Sequence, residues 1–259
     1  MSIYTLHRGT APLLISLPHD GSAIPHAIAA RMHPAAQRSV DTDWHVGRLY
    51  GPLAKALGAS VLTPVASRYV VDLNRPADGQ ALYPGRRETG LVSTIGFDGE
   101  PLYRDGEEPT ADEIQRRVND FWRPYHDALS QELERLRTEH GRVVLWEGHS
   151  IRSHMPMLFD GQLPDFNLGT ADGASCGAAL QGRLQASLAS QSRYSSVVNG
   201  RFKGGYITRH YGRPESGIDA VQLELAQLNY MDEDSFAYDE AKASLLQETL
   251  QRLLHLCIE

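Results

Sequence analysis

The stretch Arg142–Ser150, RVVLWEGHS, decides the fold. Its first half, Val143–Trp146, is a short apolar run that predicts a buried strand, and polar side chains follow where the run ends. Because side chains alternate along an extended chain, Glu147 and His149 should project from the same face. Loops at strand ends converge on one crevice in open α/β sheets. We therefore expect a functional site here, in which one of these two residues holds a metal and the other supports it or acts on substrate.

Apolar runs of strand length alternate with segments of helical periodicity along the rest of the chain. The other predicted strands are Ala11–Pro18, Ser60–Val65, Arg68–Leu73, Ser195–Val198 and Ile218–Leu225. The predicted helices are Asp43–Leu57, Thr110–His140, Cys176–Gln191 and Asp239–Leu256, and the predicted loops are Ala77–Pro109, Met155–Ser175 and Gly200–Gly212. Thr110 and Glu113 form a capping box at the start of the longest helix, which Pro124 should kink or split. The alternation predicts a three-layer α/β fold with a largely parallel sheet, in a single domain covering residues 1–259.

The composition is ordinary for a soluble globular protein and excludes some classes of partner. The formal net charge is -7 and the pI is about 5.9, whereas binding nucleic acid needs a basic face. Cys176 and Cys257 show no C-x-x-C spacing, so we expect both to be reduced. The N-terminal residues lack a signal-peptide pattern, and no apolar run approaches the roughly 20 residues of a membrane span. We expect a cytoplasmic protein that binds neither nucleic acid nor membranes; the oligomeric state is not indicated.

Polar clusters lie at the ends of several predicted strands. They are His19-Asp20, Asp72-x-Asn74-Arg75, Glu147-x-His149-Ser150 and Gln222-x-Glu224. Burying a carboxylate or an imidazole costs free energy unless the group is paired or bound to a metal. A hydrophobic core needs no carboxylate and no imidazole. We therefore interpret the four clusters as parts of one site.

His19 and His149 are the predicted metal ligands, because imidazole suits a zinc-type ion and catalytic zinc sites commonly use three protein ligands. The third ligand should be a carboxylate, and we predict Asp43, with Glu147 and Asp41 as alternatives. Asp43 could instead cap the helix that follows it, since Asp is a favoured N-cap. His19 could be an exposed turn residue, and His149 could be a hydrogen-bonded structural histidine.

Glu224 is the predicted general base. It lies inside the apolar run VQLELAQL, where removal from water would raise the pKa of the carboxyl group. Gln222, two residues earlier, could orient the substrate or the base. The alternative for Glu224 is an exposed position on an alternating edge strand.

Two further groups of residues are candidates for binding an anionic substrate. Asn74 and Arg75 could grip a carboxylate or polarise a carbonyl, because arginine binds carboxylates in a bidentate fork. Asp72 could instead hold Arg75 in a structural salt bridge. The loop GRFKGGYITRHYG contains glycines that let the backbone approach a ligand closely, although it could be an ordinary solvated loop. Its candidate substrate-binding residues are Lys203, Arg209 and His210.

Six motifs in this order resemble the N-formylglutamate amidohydrolase family. They are SLPHDGSAIP, DTDW, SRYVVDLNR, EGHS, GRFKGGYITRHYG and QLEL, and the resemblance runs from roughly residue 10 to 255. The family looks related to the zinc carboxypeptidase and aspartoacylase group. The resemblance implies a phosphorylase/hydrolase-like and zinc-carboxypeptidase-like α/β/α sandwich with a mixed, mainly parallel sheet. It also implies hydrolysis of N-formyl-L-glutamate to formate and L-glutamate in histidine degradation.

The resemblance also implies roles for individual residues. His149 resembles a zinc-binding histidine of the carboxypeptidases, Asn74-Arg75 resembles their carboxylate-binding pair, and Glu224 resembles their general base. His19 resembles the first ligand of their His-x-x-Glu motif. Here the sequence departs from that group, because Ser22 occupies the position of the second ligand.

The sequence thus predicts a metal-dependent deformylase, with Glu224 and Glu147 as its catalytic carboxylates and a divalent ion of the zinc type as cofactor. Its expected partner is a small N-formyl acidic amino acid. One alternative is a deacylase of another N-acyl amino acid, or a carboxypeptidase-like hydrolase. An alternative of another class is a non-catalytic protein that binds a small anion such as an acidic amino acid.

Overall fold

A computed structural model describes residues 3–82 and 88–259. Within these ranges the strands are β1 (Tyr4–His7), β2 (Leu13–Ser16), β3 (Ser60–Pro64), β4 (Val143–Ile151), β5 (Phe166–Gly169), β6 (Ser196–Val198) and β7 (Ile218–Ala226). The α-helices are α1 (His26–Ala29), α2 (Val46–Leu57), α3 (Ala111–Arg117), α4 (Arg123–His140), α5 (Ala178–Ala189), α6 (Tyr206–Tyr211) and α7 (Glu240–Leu256). A π-helical turn, Val118–Trp122, joins α3 to α4. None of the described helices is long and apolar enough to cross a membrane.

The strands form one mixed sheet in the order β1-β3-β2-β4-β7-β5-β6. The four central strands, β3, β2, β4 and β7, run parallel to one another. Strand β1 at one edge and the β5–β6 pair at the other run antiparallel to them. This arrangement confirms the predicted mixed, mainly parallel sheet.

Helices cover both faces of the sheet. Leu13, Ile15 and Trp146 point to one face, where they pack in a core shared with α2, α5 and α7. Leu14 and Leu145, which alternate with them, point to the other face and pack against α4. Central parallel strands are buried on both sides and therefore read as continuous apolar runs, as β2 and β4 do. The predicted three-layer α/β/α architecture is confirmed.

The predicted strand Arg68–Leu73 is wrong, because this segment forms turns and irregular chain. It is nevertheless largely buried, which explains its apolar sequence. The carbonyl oxygens of Tyr69 and Val70 lie 3.5 and 3.1 Å from Nη1 of Arg117, which donates to both. A buried guanidinium thus satisfies the backbone here, and the segment does not need a neighbouring strand.

Two elements lie inside segments predicted to be loops. Strand β5 forms within the predicted loop Met155–Ser175, and α6 forms within Gly200–Gly212. They contain 4 and 6 residues, and such lengths are too short for a clear periodic signal. The predicted loop Ala77–Pro109 contains no helix or strand among its described residues; residues 83–87 lie outside the described ranges.

The longest predicted helix is confirmed together with its interruption. The Thr110 side chain accepts a hydrogen bond from the Glu113 backbone N–H, as a capping residue should. The helix divides at the π-helical turn, and Pro124 occupies the first turn of α4, where its missing N–H costs little.

Candidate metal centre and active site

Three neighbouring parallel strands bring the predicted site residues together. His19 lies three residues beyond the end of β2, Glu147 and His149 lie on β4, and Gln222 and Glu224 lie on β7. Glu147 pairs with Gln222, and His149 pairs with Glu224, in the register of β4 and β7. Because paired residues project from the same face, all four side chains lie on one side of the sheet.

His19, Asp43 and His149 form a buried cluster whose candidate ligand atoms all lie within 4.8 Å of one another. Oδ2 of Asp43 is 2.9 Å from Nδ1 of His149 and 3.7 Å from Nδ1 of His19. Helix α2 begins only at Val46, and Asp43 does not cap it. The Asp43 carboxylate instead accepts a hydrogen bond from the backbone N–H of Ser150. Both alternatives, a helix cap at Asp43 and an exposed turn at His19, are therefore wrong.

A carboxylate holds the second nitrogen of each histidine ring. Nε2 of His19 lies 2.7 Å from Oδ1 of Asp72, and Nε2 of His149 lies 3.1 Å from Oε1 of Glu147. Because an ionised carboxylate can only accept a hydrogen bond, Nε2 of His19 donates to Asp72. Both nitrogens of His149 face carboxylates, since its Nδ1 also lies 2.9 Å from Oδ2 of Asp43. Metal-binding histidines are commonly oriented in this way by a carboxylate behind the ring.

The cluster fits a divalent metal ion. Nδ1 of His19 is buried and makes no hydrogen bond to any residue in the described ranges, which is costly for a polar atom. Two imidazoles and one carboxylate also make up a common donor set of catalytic zinc sites.

The two alternative carboxylate ligands point elsewhere. Oδ2 of Asp41 accepts a hydrogen bond from the backbone N–H of Phe97 at 2.8 Å. Glu147 lies behind the ring of His149, and its second oxygen accepts a hydrogen bond from the hydroxyl of Thr208 at 2.5 Å. Glu147 therefore supports a candidate ligand in this structure.

Charges in the cluster favour an ionised carboxylate at Asp43. Burial alone would raise the pKa of Asp43, but the neighbouring imidazoles of His19 and His149 hold it below the usual value. Burial would likewise lower the pKa of His149, but its hydrogen bonds to Asp43 and Glu147 raise it well above normal. The ionised Asp43 carboxylate thus places a negative charge between the two imidazole rings.

Glu224 is buried beside this cluster on a central strand, since β7 lies between β4 and β5. The alternative of an exposed edge position is therefore wrong. Burial raises the pKa of Glu224 to about 8, and the negative charges of Asp43 and Glu147 act in the same direction. Nε2 of Gln222 lies 3.4 Å from Oε2 of Glu224, and Oε1 of Gln222 accepts a hydrogen bond from the Gly205 backbone.

A cavity opens over the cluster, and three arginines contribute to its walls. The residues that line it include His19, Asp43, Arg68, Asn74, Arg75, Thr89, His149, Arg201, Phe202, Gln222 and Glu224. Arg68 pairs with Asp72 at 2.7 Å and lies 3.6 Å from Asp43. Nε of Arg75 donates to the carbonyl of Thr89. The carboxylate of Asp72 contacts His19 and Arg68, so the suggested salt bridge from Asp72 to Arg75 is not the arrangement found.

The side chain of Asn74 connects the cavity wall to the metal cluster. Its Oδ1 accepts a hydrogen bond from the backbone N–H of Ile207 at 2.9 Å. Its Nδ2 lies 3.1 Å from Nε2 of His149. Asn74 is thus fixed between α6 and β4.

The other predicted substrate-binding residues are not among the described residues that line this cavity. Nζ of Lys203 pairs with Asp172 at 3.0 Å. Nε of Arg209 donates to the carbonyl of Gly204, and the ring of His210 stacks on Tyr206 at 4.8 Å. The loop that contains them reaches the cavity through Arg201 and Phe202 instead. Sequence reasoning missed Arg68 and Arg201, although both lie within quoted motifs.

Comparison with known proteins decides the family. A family model described as N-formylglutamate amidohydrolase matches residues 11–231. The chain belongs to this family. The crystal structure of N-formylglutamate amidohydrolase from Ralstonia eutropha superposes on this chain with a TM-score of 0.82, at 27% sequence identity. The superposition covers 99% of this chain and 97% of that chain.

Two relatives of the family are more similar in sequence. A protein named N-formylglutamate deformylase from Pseudomonas aeruginosa is 52% identical over 257 residues, covering 97% of this chain and 96% of the relative. A protein of the same name from Pseudomonas putida is 51% identical over 253 residues, covering 97% and 94% of the two chains. The similarity therefore extends through the whole set of strand ends that build the site.

Proposed function

We propose that this protein hydrolyses N-formyl-L-glutamate to formate and L-glutamate with the help of a zinc-type ion. The observation that carries the proposal is the buried His19–Asp43–His149 cluster, in which Nδ1 of His19 has no hydrogen-bond partner among the described residues. The name of the relatives that are 51% and 52% identical supports the choice of substrate. We further propose, on the family resemblance, that the reaction serves histidine degradation in the cytoplasm.

His19, Asp43 and His149 would hold the ion. When bound, such an ion acts as a Lewis acid that polarises the formyl oxygen and lowers the pKa of a bound water molecule to about 7. Asp72 and Glu147 keep the two imidazole rings oriented, so that both Nδ1 atoms face the third ligand. Glu147 therefore contributes through His149.

Glu224 would transfer the proton. As the water oxygen forms its bond to the formyl carbon, Oε of Glu224 accepts a water proton. Glu224 then delivers that proton to the amide nitrogen as the C–N bond breaks, which releases formate and the amine of L-glutamate. A carboxyl group whose pKa burial raises to about 8 can both take and return a proton near neutral pH. Gln222 fixes the orientation of the Glu224 carboxylate.

The arginines of the cavity would bind the two carboxylates of the substrate. Arg75 and Arg201 both line the cavity, and each guanidinium can form a bidentate pair with a carboxylate. Arg68 is already paired with Asp72, so it would contribute positive charge to the cavity wall and not a second carboxylate clamp.

The substrate proposal is tested by measuring release of the acid from N-formyl-, N-acetyl- and N-succinyl-L-glutamate. We expect kcat/KM to be highest for the formyl compound. A preference for another acyl group would favour the alternative deacylase. Tight binding of N-formyl-L-glutamate without turnover would favour a binding protein instead.

The role of Glu224 is tested by Glu224→Gln, which keeps the shape of the side chain and removes its basicity. We expect kcat to fall by about 10²–10⁴-fold, the usual contribution of a general base, while the melting temperature is retained. A kcat close to that of the wild type would remove Glu224 from the reaction.

A further inference from the structure

The segment Leu73–Arg75 carries two residues of the cavity wall, yet it belongs to no strand or helix. Three outside groups hold its carbonyl oxygens. Nε2 of His126 lies 2.9 Å from the carbonyl of Leu73, and Nε1 of Trp122 lies 2.9 Å from that of Arg75. The backbone N–H of Tyr206 donates to the carbonyl between them, that of Asn74, at 3.3 Å. The position of this segment is therefore set by side chains and by α6.

The π-helical turn brings Trp122 and His126 to this segment. The backbone N–H of Arg123 bonds to the carbonyl of Val118, so the turn contains one residue more than an α-helical turn. One extra residue rotates the side chains that follow by about 100° around the helix axis. The rings of Trp122 and His126 then stack with centroids 3.7 Å apart at 21°. Turns of this kind are frequent at functional sites.

The hydrogen bonds of His126 fix its protonation state. Nε2 must donate, because a carbonyl oxygen can only accept, so Nδ1 accepts a hydrogen bond from the hydroxyl of Tyr211 at 3.0 Å. Burial lowers the pKa of His126 to about 3, which keeps the ring neutral. The ring is thus held in one tautomer, with its N–H directed at Leu73.

We propose that Trp122 and His126 are positioning residues for substrate recognition. By holding the carbonyls on either side of Asn74, they direct the guanidinium of Arg75 into the cavity, where it meets a substrate carboxylate. The inference rests on the role proposed above for Arg75. Helix α4 does not need these two bonds for its packing, because Tyr125, Leu129 and Leu133 already bury it against the sheet.

The first test is Trp122→Phe, which retains an aromatic ring but removes the N–H donor. We expect KM for N-formyl-L-glutamate to rise about fivefold, as for the loss of one neutral hydrogen bond, with kcat changed less than about twofold. Phe121→Leu is the matched control, because Phe121 lies in the same turn and packs on apolar neighbours. It should lower the melting temperature and leave KM unchanged.

A second variant keeps the inference testable if the first is unstable. Tyr211→Phe removes the group that orients the His126 ring, and KM should rise in the same direction by a smaller factor. If both variants lower the melting temperature but leave KM unchanged, the two residues are structural only and the inference is overturned.

The variant Arg75→Ala distinguishes failure of the positioning role from failure of the proposed contact between Arg75 and the substrate carboxylate. We expect Arg75→Ala to raise KM strongly. Adding Trp122→Phe to Arg75→Ala should then raise KM no further. If Arg75→Ala leaves KM unchanged, the proposed carboxylate contact fails. If Arg75→Ala raises KM and Trp122→Phe does not, only the positioning role fails.

Discussion

Asp72 and Glu147 each contact the outer nitrogen of one imidazole, at 2.7 and 3.1 Å. Each carboxylate fixes the orientation of its imidazole ring, so that Nδ1 of both rings faces Asp43. The Asp72 carboxylate also pairs with the guanidinium of Arg68 at 2.7 Å. His19, Asp72 and Arg68, each costly to bury alone, are therefore stabilised together.

Arg201 and Lys203 provide a matched test of the cavity wall, since they lie two residues apart on one loop. Arg201 lines the cavity, whereas Lys203 pairs with Asp172 outside it. We expect Arg201→Ala to raise KM for N-formyl-L-glutamate by about tenfold or more, since charged hydrogen bonds are worth about 1.5–3 kcal/mol. Lys203→Ala should change KM less than about twofold. Steady-state formate release by both variants checks this. Equal effects on KM would contradict the placement of Arg201 inside the substrate cavity and of Lys203 outside it.

At this scale the sequence indicated which histidines and acids lie together better than it indicated which arginines line the cavity. His19, His149 and Glu224 immediately follow or lie within apolar runs, where a polar side chain needs an explanation. Arg68 and Arg201 lie in irregular segments, where an arginine is ordinary. Their long side chains reach the cavity from turns whose course depends on tertiary packing, so no local pattern distinguished them.

At the scale of elements, α6 and the loop before it close one side of the site. Gly205 packs so closely against Asn74 that a Cβ atom there would lie 2.3 Å from Nδ2 of that side chain. The backbone N–H of Gly205 also donates to Gln222 at 2.7 Å. This glycine lets the loop touch both Asn74 and Gln222, whose amide lies 3.4 Å from the carboxylate of Glu224.

Gly205→Ala should therefore displace the loop or Asn74. We expect the free energy of unfolding to fall by about 1–3 kcal/mol, the usual cost of overpacking, and kcat/KM to fall with it. Gly182→Ala is the control, because Gly182 lies in α5 with open space around the added atom. That change should raise the free energy of unfolding by about 0.5–1 kcal/mol and leave the kinetics unaltered. Denaturant unfolding and kinetics on both variants decide the matter; a stable, fully active Gly205→Ala protein would contradict the close contact.

The long and periodic elements were predictable, whereas the segment 68–75 was not. Strands β4 and β7 and helices α4 and α7 have apolar patterns that only one kind of element satisfies. The run Arg68–Leu73 has the composition of a strand, but Arg117 and His126 satisfy carbonyls of its backbone from distant parts of the chain. Trp122 does the same for the carbonyl of Arg75, just beyond the run. Side-chain hydrogen bonds over such sequence separations leave no signal in the segment itself.

At the scale of the whole molecule, the fold places one site at the ends of three adjacent parallel strands. Helices bury both faces of the sheet, and the polar groups of the site lie toward the carboxyl ends of the strands. The order β2-β4-β7 in the sheet brings together residues that are up to 205 positions apart in sequence, from His19 to Glu224. Alternation of strands and helices predicted the layers, but the neighbours of each strand became known only from the structure.

The most direct test of the account measures metal content and formate release on the same protein preparation. The protein is purified without chelator and assayed with N-formyl-L-glutamate, then assayed again after exhaustive metal removal and after addition of zinc. We predict one divalent ion per chain, loss of activity on removal, recovery on addition, and failure of Asp43→Asn to retain the ion. Full activity in the metal-free protein would contradict the account.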